Sequence, residues 1–223
     1  GDPAGVDLSH AIRPTGELAI TVPPGQHRLY AVLYQQGYNR VGKGAPGAEG
    51  QVLNHYEAPA VLSYLEQISK TLTPAFGPLG ESFRALFCDS IELTRANWTD
   101  DMAAEFARRR GYQLGSWLPF ILAVDDGSDS PFAENCRRVR YDFSATLVEL
   151  FHERFLQPFH AWCHRQHALS RFQAYGHPWL MGMLDGYRVP DLPEGDTWLY
   201  NQHEDWPADK SVDDIRYEVW NKY

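Results

Sequence analysis

Apolar positions along this chain recur with two different periods, and the period sorts the elements. Val61, Leu62, Leu65, Ile68 and Leu72 share one side of a 3.6-residue repeat and predict a helix over residues 58–72, ended by Pro74 to Gly80. The longest periodic stretch runs from Val139 to about His167, with Phe143, Leu147, Leu150, Phe151, Phe155, Phe159 and Trp162 as its apolar stripe. Pro158 is expected to kink or split that helix. A third helix is predicted after Thr99, a capping residue. Asp100 and Asp101 stand in its first turn, Arg108 to Arg110 in its last, and Gly111 supplies the stop. Residues 213–223 repeat the pattern with Ile215, Val219 and Trp220 on one face and no terminating Gly or Pro. The chain therefore reads as a piece of something longer.

Shorter apolar runs predict strands at residues 16–22, 27–35, 83–88 and 171–175. The run at 27–35 is nearly all apolar and is expected to be buried on both faces, and the run at 83–88 is also expected to be a buried strand. Residues 113–124 are apolar without a decided period. Loops are expected at 23–25, at 37–50 with its five glycines and Pro46, at 125–131, and across the Pro-, Gly-, Asp- and Trp-rich residues 176–206. Strands alternating with helices predict an α/β fold with a parallel sheet.

Composition narrows the function. At 43% hydrophobic and 13% aromatic, the 223 residues can fill a core, which sets disorder aside as the main description. No run of 18 apolar residues suggests a membrane span. The formal charge of −9 argues against nucleic acid as a partner, because phosphate binding needs a basic face. It suits a neutral polar ligand such as a sugar. The chain starts at Gly1 without a charged segment followed by an apolar one, so no signal peptide is visible. Cys88, Cys136 and Cys163 form no CxxC pair, which disfavours zinc, and their odd number disfavours a disulfide framework. One bridge remains compatible, but three buried small hydrophobes is the simpler reading.

Candidate chemistry follows the strands. Asp89 and Glu92 come directly after the run 83–88, where parallel α/β folds meet their ligands. Two carboxylates there suit acid/base work, a cation or sugar hydroxyls, and equally a helix N-terminus. Tyr175, which ends the run 171–175, and His177 just beyond it are candidate sugar contacts, although a histidine is more often structural. Glu194 and Asp196 flank Gly195 with Trp198 beside them, which suits a glycosidase base with a stacking platform; taken alone, the segment reads more simply as a turn. Trp179 and Trp198 are candidate stacking surfaces, while Trp117 and Trp162 are expected in the core. His160, His164 and His167 recur at i, i+4 and i+7, which reads as a solvated helix face rather than a metal stripe. P-loop, GxSxG and dinucleotide motifs are absent.

Six segments in order then resemble the catalytic region of glycoside hydrolase family 106, the α-L-rhamnosidases. They are Gly44 to Gly50 with Val52 to Tyr56, Asp89 to Glu92, Glu105 to Tyr112, Arg138 to Asp142, Gln173 to Gly176, and Pro193 to Trp198. The resemblance implies part of a (β/α)8 TIM-type barrel over residues 46–223, truncated at both ends, after a β-rich segment over residues 1–45. It implies inverting release of terminal α-L-rhamnosyl residues from glycans or glycosides by paired carboxylates. Glu92 stands as the candidate acid, with Glu194, Asp196 or a glutamate beyond Tyr223 as the second carboxylate. It implies a calcium ion at the sugar, with Asp89 as a candidate for sugar or cation contact. It also implies further domains in a longer parent chain and periplasmic or extracellular work in a bacterium. The alternatives are a glycosidase of the same barrel type acting on another sugar, and a non-catalytic carbohydrate-binding module.

Overall fold

The computed structural model describes residues 5–37, 40–41, 44, 46–47, 49–93, 96–122, 133–174, 176–177 and 183–195. The side chains of Glu92, Leu122, Gly176, His177 and Met183 lie outside that description. The elements are α1 (Ala58–Phe76), α2 (Leu79–Ser82), β1 (Ala85–Cys88), β2 (Ile91–Glu92), α3 (Met102–Arg110), α4 (Leu118–Leu122), α5 (Ala133–Phe151), α6 (Gln157–Arg165), β3 (Leu169–Gln173), β4 (Gly176–His177), α7 (Met183–Gly186) and β5 (Leu192–Glu194). The chain divides into two compact units, residues 1–52 with 98–146 and residues 53–97 with 147–223.

In the second unit, β1, β3 and β5 form a parallel sheet in the order β1-β3-β5, and β2 pairs in parallel with β4. Parallel pairing needs long crossovers, and the helices between these strands supply them. The fold is therefore a mixed α/β architecture with a small parallel sheet. One face of β3 is covered by helix: Phe172 is fully buried, with ring centroids 6.3 Å from Phe155 and 6.4 Å from Phe159. Trp162 lies in the same layer and its indole N–H donates to Ser69 Oγ at 2.9 Å. The expected apolar stripe from Leu147 to Trp162 is buried throughout.

α5 and α6 are joined by a π-helical turn, His152–Leu156. The irregularity expected at Pro158 is thus a widened turn just ahead of it, with Pro158 in the first turn of α6. That position suits a residue with no N–H to donate, and the wide turn takes up the change of hydrogen-bond register. Upstream, α1 runs through Pro74, past the break predicted there, to Gly77 at φ 70°. Phe76 stacks edge-on against Phe83 with centroids 5.1 Å apart, and the Ser82 hydroxyl donates to the Phe76 carbonyl at 2.8 Å, which holds the extra turn.

In the first unit, α3 ends as predicted, with Gly111 left-handed at φ 81° and its N–H on Ala107 O. Its start differs: the capping position is Asp101, and buried Thr99 accepts the Met102 N–H through its carbonyl rather than through its side chain. Phe106, Leu114, Trp117, Cys136, Val139 and Phe143 are buried in this unit. Tyr112 donates to Asp142 Oδ2 at 2.8 Å and Arg110 Nε donates to Thr146 Oγ1 at 3.0 Å, which ties α3 to α5.

The predicted strands at 16–22 and 27–35 do not form. Among the described residues only a bridge between Ile12 and Leu18 stands there, and Leu33 is 86% exposed. A strand needs a partner ladder as well as an apolar pattern, and no described segment pairs with this one. The run at 83–88 begins two residues later than read, and Phe87 is 46% exposed, so β1 is covered on one face only. The segment read as a turn at Glu194 is instead β5, paired with β3. All three cysteines are free; Cys136 and Cys163 are buried and Cys88 is partly so.

Candidate active site

The three parallel strands of the sheet end at one edge, and two of the residues singled out stand at those ends. Asp89 directly follows β1 and Glu194 closes β5. Beyond β1 and β3 the chain continues as β2 and β4, where Glu92 stands opposite His177. The register slips between the two pairings. Cys88 is opposite Phe172 and Ile91 opposite Gly176, an offset that differs by one residue.

The sheet face turned away from the helices is polar at its centre. Arg171 lies level with Phe87 and Leu192, and Gln173 level with Glu194. The Arg171 guanidinium sits 4.7 Å from the Phe87 ring centroid and pairs with Glu194. Gln173 Nε2 donates to Glu194 Oε1 at 2.9 Å. The Arg171 hydrogen bond, then that from Gln173, holds the Glu194 carboxyl below its ordinary range, so it is an anion at neutral pH. Asp89 is exposed and takes the Ser90 N–H on Oδ1 at 2.7 Å. Beside it, burial and then the Asp89 charge push the Cys88 thiol up to about 12, which leaves it protonated and unreactive.

For Glu92 and His177 the structure places the backbone. Tyr175, Trp179, Asp196 and Trp198 lie outside the described residues. Calcium takes six to eight oxygens. Among the described residues, Asp89 joins no group of three or more His, Cys, Asp or Glu side chains close enough to share an ion. A cavity of about 430 Å³ lined in part by His152, Glu153, Asp185 and Arg188 shares none of the residues singled out from sequence.

Two features were missed in the sequence. Arg171 and Gln173 carried one signal, polar residues at alternate positions of an otherwise buried strand. The other is a cluster at the opposite, amino edge of the sheet, where His160, His164 and Asp191 converge with Ser170. The face read as solvated is thus partly engaged. His167 leaves it altogether, since it follows the helix end with φ 60°.

A family model described as alpha-L-rhamnosidase, glycoside hydrolase family 106, matches residues 3–218. The chain belongs to that family. It is 28% identical over 180 residues to a Formosa agariphila protein provisionally named beta-glucuronidase, covering 78% of this chain and 15% of that protein. It is also similar to the solved structure of a rhamnosidase from Novosphingobium sp. PP1Y, with 25% identity and a TM-score of 0.52. That match covers 75% of this chain and 16% of the other. The chain therefore spans about one-sixth of the length of these relatives.

Proposed function

We propose that this chain is part of the catalytic barrel of an extracellular or periplasmic glycoside hydrolase that releases α-L-rhamnosyl residues from polysaccharides or glycosides with inversion. The observation that carries the reading is that Asp89 follows β1, Glu194 closes β5 and Glu92 pairs with His177 where β1 and β3 continue, all within a family-matched stretch. Glu92 protonates the leaving oxygen. Glu194 is unsuited to that role, because its Arg171 partner keeps it ionised. The same partner makes it a poor base, so it holds sugar hydroxyls. The water-activating carboxylate is then Asp196 or a residue of the longer protein. Tyr175, His177, Trp179 and Trp198 line the sugar. Calcium, if bound, takes Asp89 and oxygens from outside the described residues, and no step here depends on it.

The test is aryl α-L-rhamnoside hydrolysis by the full-length protein. Glu92→Gln is expected to lower kcat/KM at least about 100-fold, the usual contribution of a general acid. Turnover near the unmodified rate would end the assignment. The Formosa relative's name supports a second reading, a glycosidase on another sugar. Hydrolysis of an aryl β-glucuronide in place of the rhamnoside would establish it. Sugar binding with no turnover of either would mark a binding module.

A further inference from the structure

We infer that His160, His164 and Asp191 form a binding site for a divalent transition-metal ion of the zinc class, on the helix-covered side of the sheet and away from the carboxyl edge. This site does not rest on the reading of the active site.

The fold brings three ligands together from two elements. His160 and His164 stand one turn apart on α6, with ring centroids 4.2 Å apart. Asp191 immediately precedes β5. The three ligand atoms, one from each side chain, all lie within 4.8 Å of one another. His164 Nε2 is 2.8 Å and His160 Nδ1 3.7 Å from Asp191 Oδ2. Zinc holds imidazole nitrogen and carboxylate oxygen at about 2.0–2.2 Å, so donors on a tetrahedral ion lie roughly 3.4 Å apart. The observed spacings bracket that value. His164, with half its side chain exposed, has room to turn and gives the ion a way in.

The surroundings are those of a supported site. Asp191 Oδ2 accepts the Ser170 amide at 2.8 Å and the Ser170 hydroxyl at 2.9 Å. The Asp191 N–H returns to Ser170 Oγ at 3.0 Å. Ser170 is fully buried, so the carboxylate is aimed from behind by a fixed partner, as ligating carboxylates usually are. Because the Ser170 hydroxyl gives its proton to Asp191, His160 Nδ1 must be the donor in its 2.7 Å bond to Ser170 Oγ. Metal binding exchanges that bond and the His164–Asp191 bond for coordinate bonds, and each imidazole moves its proton to its other nitrogen. Ser170 keeps its bonds to Asp191. Two imidazoles and one carboxylate suit zinc, cobalt(II) or nickel(II), and disfavour calcium and magnesium. The bound ion ties the last turn of α6 to the start of β5, a structural role, and leaves one coordination position for water.

The experiment titrates the chelator-stripped full-length protein with zinc by calorimetry and with cobalt(II) by visible absorption. The expected result is one ion bound per chain, with a tetrahedral cobalt spectrum. His164→Asn and Asp191→Asn should each weaken binding at least tenfold. His164→Asn alters a half-exposed side chain and leaves the folded state measurable by circular dichroism. An unmodified protein that binds neither metal at ten times its own concentration overturns the proposal and leaves the cluster a hydrogen-bonded clamp. Binding that is equally tight in His164→Asn and His160→Asn overturns it as well, since the ion would then sit elsewhere. Should a variant fail to fold, the cobalt spectrum of the unmodified protein decides alone, and octahedral coordination counts against the site.

Discussion

At the scale of single residues, conformation and charge act where composition is silent. His167 occupies the left-handed position after α6, at φ 60°, in a turn where glycine is the usual occupant. The pattern is complete: Ala168 N–H reaches Cys163 O and His167 N–H reaches His164 O, both at 3.0 Å. A side chain in that conformation costs roughly 1–2 kcal/mol, partly offset by glycine's greater freedom when unfolded. His167→Gly should therefore stabilise the protein by about 1 kcal/mol, read as a higher urea midpoint with an unchanged slope. Asp191 shows the reverse situation. Burial pushes its carboxyl up, but the Ser170 amide and the His164 and Ser170 side chains outweigh burial and hold it at about 2, against an ordinary 3.8. A carboxyl depressed on folding binds its proton later than the unfolded chain does. Its stabilisation is thus complete above the ordinary value and disappears as pH falls toward 2. Glu194 adds a contribution of the same sign. Asp191→Asn should flatten the acid limb of a stability-against-pH curve between about pH 4 and pH 2, and an unchanged limb would count against this pairing.

At the scale of elements, the covered face of β3 carries the packing. Phe172 is 0% exposed and meets Phe155 and Phe159 from the helical layer. Phe172→Ala should cost about 3–5 kcal/mol, the range for removing a buried aromatic ring. A chemical-denaturation difference below about 1 kcal/mol would mean that the layer collapses into the space. The uncovered face of the same strand behaves otherwise. Arg171 and Gln173 both donate to Glu194 across β3 and β5, so charge persists on a strand whose other face is core. The helical stripe from Phe143 to Trp162 was legible in the sequence because a 3.6-residue period needs no distant partner to be recognised. The extended run at 27–35 was misread because period alone cannot say whether a ladder exists to receive it.

At the scale of the whole molecule, the unpaired segment and the short coverage of longer relatives belong together. The residues from Leu29 to Leu33 carry a strand's composition without a strand's hydrogen bonds. In this chain their amides are expected to exchange with solvent much faster than those of β3. In a longer protein that supplies a partner strand they should slow by orders of magnitude, which exchange mass spectrometry reads directly. Equal, fast exchange in both would show that the segment is a linker. No helix among the described residues is long and apolar enough to cross a membrane, as the hydropathy along the chain also indicated.

The sequence by itself determined the alternation of parallel strands and helices, the buried stripe, the Gly111 stop and the acidic residues after a strand. Each depends on local period or on the backbone freedom of one residue. It also carried the family, through six short segments in order. Tertiary structure alone decided that Glu194 lies on a strand rather than a turn, because Pro, Gly and Asp favour turns until β3 offers its ladder. It alone set Arg171 against Glu194 and brought Asp191 to His160 and His164 across 27 to 31 residues of chain. Such encounters depend on strand order and register, and neither is written in any local pattern.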